Sequence, residues 1–255
     1  MKLPVFLILL KLASVGLVGC SSQPKKELLA KTHLELGTSL YNQGRYPEAL
    51  REILKAQKLD PHNPVILNGL GLAYHARGRT DLGRKSLYEA LDVDPNYTEA
   101  RNNLVRILIE AKDFKTAEKE LAIVKKDLVY GALDRVYINE GLLYFDQEKY
   151  GRALEPFAKA VEYGRDNCPA HNLYGRTLFE VKKYREAAMA LDRAVAFCQK
   201  TGNDEPHYFS ALAHYRSGDK RKAAVRFEEI LQLYPNGQYL ERSRSLLDMV
   251  RKELE

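Results

Sequence analysis

The residues able to do redox, metal or nucleophilic chemistry are few: three cysteines and six histidines in 255 residues. Cys20 stands in LVGCSS, where an apolar run stops and a polar one starts. Cys168 and Cys198 lie far from it, and His33, His62, His75, His171, His207 and His214 are scattered. No HExxH, GxSxG, GxxxxGK[ST] or CxxC occurs, so zinc-hydrolase, serine-hydrolase, nucleotide-phosphate and dithiol chemistry have no local signature. Gly69-Leu70-Gly71 is half of a glycine loop, but its neighbours are apolar at helical spacing, which reads as helix packing. Chemistry of that kind needs elements that converge side chains, and the elements here repeat instead.

The repeat is in register from residue 30 to 237. Starts at 30, 64, 98, 134, 168 and 204 give spacings of 34, 34, 36, 34 and 36 residues. A small residue recurs in the first half of each unit (Gly37, Gly71, Gly141, Gly175, Ala211), with Val105 in its place in a weaker third unit. A second recurs early in the other half (Ala49, Gly83, Ala117, Ala153, Ala187, Ala223), so two helices can approach closely. Tyr, Leu and Phe fill the space between units. Pro47, Pro64, Pro169 and Pro206 fall in predicted first turns, and Pro61, Pro95 and Pro235 fall after helix ends. Pro156 is predicted inside a helix, where it removes a hydrogen bond and bends the chain. Units such as Leu36-Gly37, Gly44-Arg45-Tyr46, Ala49-Leu50 and Asp60-Pro61 resemble the tetratricopeptide repeat. The fold class implied is all-α: a right-handed superhelical solenoid of six helical hairpins, 30–63, 64–97, 98–133, 134–167, 168–203 and 204–237. Residues 238–255 contain an amphipathic helix with Leu240, Leu246, Leu247 and Val250 on one side, which suits a terminal cap.

In such a hairpin the start of the first helix lies beside the end of the second. Cys168 opens the fifth unit and Cys198 closes its second helix, so the fold brings the thiols together, as a disulfide in an oxidising compartment or as two buried thiols. His33, His171 and His207 share one position of the first helix and read as core. Composition excludes little else. The net charge of +6 falls to +4 without residues 1–19, with 38 basic against 34 acidic residues, and no long run of like charge suggests nucleic acid.

Residues 1–19 read as a cleaved targeting segment: Lys2, then an apolar stretch broken by Lys11 and too short to span a bilayer. Leu17-Val18-Gly19-Cys20 resembles the lipobox of bacterial lipoproteins. The resemblance implies cleavage before Cys20, a thioether-linked diacylglycerol on its thiol and acylation of its amine, anchoring the chain permanently. Ser21 and Ser22, rather than Asp after the Cys, imply the outer membrane, with the periplasmic face expected. Residues 20–29 are then the lipidated N-terminus and a short polar tether, keeping the first repeat near the bilayer.

The tetratricopeptide resemblance also implies a concave face lined by the first helix of each unit. Carried over position by position, the groove residues are Tyr41, Asn68, Leu72, His75, Asn102, Arg106, Ile109, Leu142, Phe145, Asn172, Arg176, Phe179, Leu212 and Tyr215. This stripe suits an apolar peptide or amphipathic segment, with Asn holding its backbone and Arg106 and Arg176 meeting its carboxylates. Part of it is equally readable as inter-repeat core. Lipobox, tether and six repeats together resemble the pilotins of type IV pilus secretins. That resemblance implies a non-enzymatic, cofactor-free scaffold that grips a secretin subunit while its lipid carries it to the outer membrane. It implies no nucleic acid and no small-molecule substrate. The alternative is a general envelope adaptor lipoprotein docking peptidoglycan enzymes or outer-membrane insertion machinery.

Overall fold

A computed structural model of the chain describes residues 23–199 and 202–255. Cys20 and the targeting segment lie outside them. Among the described residues the secondary structure is thirteen α-helices: α1 (Gln23–Asn42), α2 (Tyr46–Leu59), α3 (Pro64–Ala76), α4 (Thr80–Val93), α5 (Thr98–Glu110), α6 (Phe114–Val124), α7 (Leu133–Phe145), α8 (Tyr150–Tyr163), α9 (Cys168–Glu180), α10 (Tyr184–Cys198), α11 (Glu205–Arg216), α12 (Lys220–Leu233) and α13 (Leu240–Lys252). Odd and even helices up to α12 form six hairpins, each stacked on the next in chain order. This is a tetratricopeptide solenoid; the odd helices are called A and the even ones B below.

The turn from A to B is built the same way six times. A residue with positive φ follows each A helix: Gly44, Gly78, Lys112, Glu148, Lys182 and Gly218. The amide after it then donates back to the last turn of the A helix, as Arg79 N does to Tyr74 O at 2.9 Å and Lys183 N to Leu178 O at 2.9 Å. That is the glycine-favouring end that satisfies orphan carbonyls. At the other end, Asn63 Oδ1 accepts from Val65 N and Ile66 N to cap α3, and Asn167 Oδ1 accepts from Ala170 N to cap α9.

The small residues do what their spacing requires. A Cβ on Gly83 of α4 would stand 2.7 Å from the Gly71 carbonyl oxygen of α3, so the two backbones are in contact. Where Val105 replaces the small residue, α5 and α6 still pair, with Val105 fully buried and α6 the shortest helix at 11 residues. The core runs through the hairpins on Ile53, Leu70, Leu87, Leu104, Leu108, Phe157, Leu191 and Phe227, all essentially inaccessible to solvent. α13 closes the stack by burying Leu247 and Val250 against α12.

One difference from the sequence reading concerns a helix end. α1 begins at Gln23, so most of the stretch expected as tether, 20–29, is helix. Lys25 to Ala30 are strong helix formers and prolong α1. As expected, Pro156 lies inside a helix: α8 runs from Tyr150 to Tyr163 through it, and its side chain is buried. The structure also joins Cys168, the first residue of α9, to Cys198, the last of α10, by a disulfide with a Cα–Cα distance of 5.0 Å.

Candidate functional site

A cavity of about 420 Å³ opens on the A-helix face. Tyr41 comes from α1, Leu72 and His75 from α3, Asn103, Arg106, Ile107 and Glu110 from α5, and Arg135, Ile138 and Asn139 from α7. Asn167 and Pro169 at the head of α9 complete it. All but the α9 cap residue Asn167 belong to A helices, so four stacked repeats and the start of a fifth make one groove. Its floor is apolar and its walls carry paired charge. Glu110 accepts from Arg106 Nε at 2.6 Å and lies 2.8 Å from His75 Nε2, tying α3 to α5. Arg135 donates to Glu99 at 2.6 Å and to Asn103 Oδ1 at 2.7 Å.

Behind the walls runs a polar ladder. Asn103 Nδ2 donates to Asn68 Oδ1 at 2.9 Å, and Asn139 Nδ2 donates to Asn102 O at 3.0 Å and to Asn102 Oδ1 at 2.8 Å. Each rung joins consecutive repeats inside the stack, where an unpaired amide would be costly. Further along, Asn172 Nδ2 and Arg176 Nη1 both donate to Glu205, at 2.7 and 2.8 Å. The Arg176 guanidinium lies between the rings of Phe145, at 5.1 Å, and Phe209, at 4.7 Å, a cation–π sandwich linking α7, α9 and α11.

The predicted groove residues therefore divide. Tyr41, Leu72, His75 and Arg106 line the open cavity together. Asn68, Asn102, Ile109, Leu142 and Asn172 are buried and act in the inter-repeat core. The asparagines were expected to hold a partner's backbone; as the structure stands they hold the next repeat. Phe145 and Phe179 are half-buried, edge-on to Tyr150 and Tyr184, and Leu212 packs in the last core cluster. The Tyr215 hydroxyl donates to Glu253 just after α13, so the chain's own cap occupies that end of the stripe. Arg106 and Arg176, expected to meet a ligand's carboxylates, already meet Glu110 and Glu205. Glu110 was legible as an i,i+4 partner of Arg106. Arg135, reaching back from the next repeat, was not, because its partner is 36 residues away.

Electrostatics follow from this crowding. Burial pushes the Tyr41 hydroxyl pKa up, with the neighbouring Tyr46 adding to it. Burial also raises the Asp146 carboxyl at the end of α7, with Glu110 adding and Arg106 opposing.

A Ser–Asp–His grouping elsewhere does not amount to a triad. Asp192 accepts from Ser210 Oγ at 2.7 Å, lies 3.1 Å from His214 Nε2 and accepts from Arg226 Nη2 at 2.9 Å. The serine hydroxyl is committed to the carboxylate and not to the imidazole, so nothing activates it as a nucleophile. The grouping locks α10 to α11 and α12. Of the histidines expected in the core, His171 and His207 are buried, while His33 is half-buried and bonded to Glu52 at 2.8 Å. Among the described residues no three His, Cys, Asp or Glu side chains cluster as metal ligands, and no helix is long and apolar enough to cross a membrane.

Comparison with known families and structures agrees with this architecture. Tetratricopeptide-repeat family models match residues 34–97, 76–128 and 210–237, and the model for anaphase-promoting complex, cyclosome, subunit 3 matches 122–194. The type IV pilus assembly protein PilF of Pseudomonas aeruginosa is 22% identical over 234 residues, covering 88% of this chain and 92% of PilF. The solved PilF structure superposes with a TM-score of 0.71 at 20% identity, covering 87% of this chain and 99% of that one. The structure of PilW, described as a widely conserved type IV pilus biogenesis factor, gives 0.73 at 16% identity over 84% and 97%.

Proposed function

We propose that this chain is a lipid-anchored scaffold of the pilotin kind, which holds a segment of the type IV pilus secretin and assists its assembly or localisation in the outer membrane. The observation that supports the reading is the match to PilF over 88% of this chain and 92% of PilF, since an unrelated scaffold shares repeats over only part of its length. The lipobox at Cys20 supplies the anchor in this reading, and the A-helix groove supplies the grip. An extended or amphipathic segment lays apolar side chains on Leu72 and Tyr41. Its carboxylates compete with Glu110 for Arg106, a charge-assisted exchange rather than the filling of an empty fork.

Two experiments test it. Deletion in the bacterium that carries the chain abolishes heat-resistant secretin multimers and surface pili; normal multimers and normal pili reject the secretin assignment. Leu72→Glu together with Tyr41→Ala alters accessible groove residues and removes secretin co-purification while the helical circular dichroism stays unchanged. Undiminished capture moves the binding site away from this groove.

A further inference from the structure

The solenoid has two rims. The A-to-B turns lie along one. The B-helix C-termini, the A-helix N-termini and the loops between them lie along the other, as the disulfide from the head of α9 to the tail of α10 requires. The N-terminus of α1 lies on this second rim. Ala30 is the residue equivalent to Pro64 and Thr98, so residues 23–29 of α1 overrun the rim by about 10 Å. Cys20 precedes Gln23 by three residues, so it stays within about 10 Å of that helix end even in a fully extended chain.

Apolar side chains stand exposed on the same rim. Val93, Tyr163, Phe197 and Leu233, at the ends of α4, α8, α10 and α12, are 40–61% exposed, and Leu128 and Val129 in the α6–α7 loop are each 92% exposed. The loop is braced, not slack. Val129 N donates to Asp127 Oδ1 at 3.1 Å, Thr98 Oγ1 donates to Asp127 Oδ2 at 2.5 Å, and Tyr130 OH donates to Glu99 Oε2 at 2.5 Å. Two apolar side chains are thus held out into solvent by a built turn. Charge of both signs is exposed along the rim (Lys25, Lys26, Glu27, Lys58, Asp92, Glu162 and Asp166), but beside the tip Lys126 is exposed while the Asp127 carboxylate turns its oxygens to Val129 N and Thr98 Oγ1.

We propose that this rim faces the bilayer and that the Leu128–Val129 tip inserts into an anionic lipid surface as a second contact beside the anchor. The orientation rests on the lipid-anchor reading of Cys20. An acyl anchor alone holds a protein but leaves it free to swivel; a second apolar contact fixes which face looks away. Burying each fully exposed Leu or Val side chain favours the inserted state roughly tenfold, and Lys126 beside the tip adds attraction to anionic headgroups. The A-to-B rim then points away from the membrane, and the groove stands side-on to it, open to a segment arriving along the surface.

The test uses the lipidated full chain. With Cys20 acylated and Cys168 bridged to Cys198, Val129→Cys introduces the single reactive thiol, for an environment-sensitive fluorophore. Arg77→Cys, on the opposite rim, is the control. On vesicles of phosphatidylethanolamine with phosphatidylglycerol, the Val129 probe shifts to the blue and is quenched by lipids brominated in the acyl chain, and the Arg77 probe does neither. A vesicle-bound chain whose Val129 probe stays in water overturns the rim contact and leaves the anchor standing. A chain that carries no acyl mass on Cys20 and does not float with vesicles overturns the anchor, and the orientation with it. A blue shift that needs no lipid and grows with protein concentration assigns the tip to a second copy, and one that appears only with the secretin assigns it to that partner. Either outcome overturns the membrane contact.

Discussion

Gly83→Ala sets two effects of opposite sign against each other. An alanine inside a helix is favoured over glycine by about 0.5–1 kcal/mol, because it restricts the unfolded chain. In α4, however, the new Cβ would sit 2.7 Å from the Gly71 carbonyl oxygen and 3.2 Å from His75 N and Cβ. The obstacle is the α3 backbone and the root of a side chain, not a flexible tip. The hairpin must open, and overpacking of that kind costs about 1–3 kcal/mol. The clash therefore wins, with a net loss of about 1–2 kcal/mol, or roughly 3–6 °C in Tm for a chain of this size. Gly151→Ala in the first turn of α8 isolates the other effect, since a Cβ there meets nothing within 4 Å. It raises stability by about 0.5 kcal/mol. Thermal and urea unfolding followed by circular dichroism read both variants. His75 and Leu72 sit on the displaced helix, so Gly83→Ala also weakens partner capture while Gly151→Ala leaves it intact. If Gly83→Ala were as stable as the parent, or if both variants moved the same way, close A–B contact would not be the reason for glycine at this position.

Replacing both Cys168 and Cys198 by Ser releases a cross-link spanning 30 residues and lowers unfolding free energy by about 3–4 kcal/mol; urea titration of oxidised parent and double variant measures it, and coincident curves refute it. Acid acts in two stages. Burial holds the His207 pKa below the usual imidazole value, with Glu229 opposing, so the folded state keeps it neutral and stability declines as pH falls through about 6.5, where the unfolded chain takes the proton. Burial alone would raise Asp192, but hydrogen bonds from His214, Ser210 and Arg226 outweigh it and hold the carboxyl well below its usual range. Its contribution is therefore present above about pH 3.9 and is lost as pH falls from there toward its folded pKa. Asp192→Asn lowers stability at pH 7 and removes the lower stage; an unchanged acid limb in urea titrations at stepped pH would contradict this.

The hairpins, their order and the two small-residue positions were readable from one chain because a repeat makes the same local demand six times. Register errors at Val105 or in the lengthened third unit are outvoted by the other units. The head-to-tail placement of Cys168 and Cys198 followed from hairpin geometry alone. Which A-helix residues face solvent did not. Tyr41, Leu72, His75 and Arg106 reach the open groove, while Asn68, Asn102 and Asn172 are drawn into the stack, because each stack pairs an amide with a partner some 35 residues away. The length of α1 was also hidden, because its first turns carry no repeat signature. Local pattern determines which helices form and how each hairpin closes. Tertiary stacking decides what remains exposed, because the same asparagine or phenylalanine is surface or core according to how far the next repeat is rotated against it.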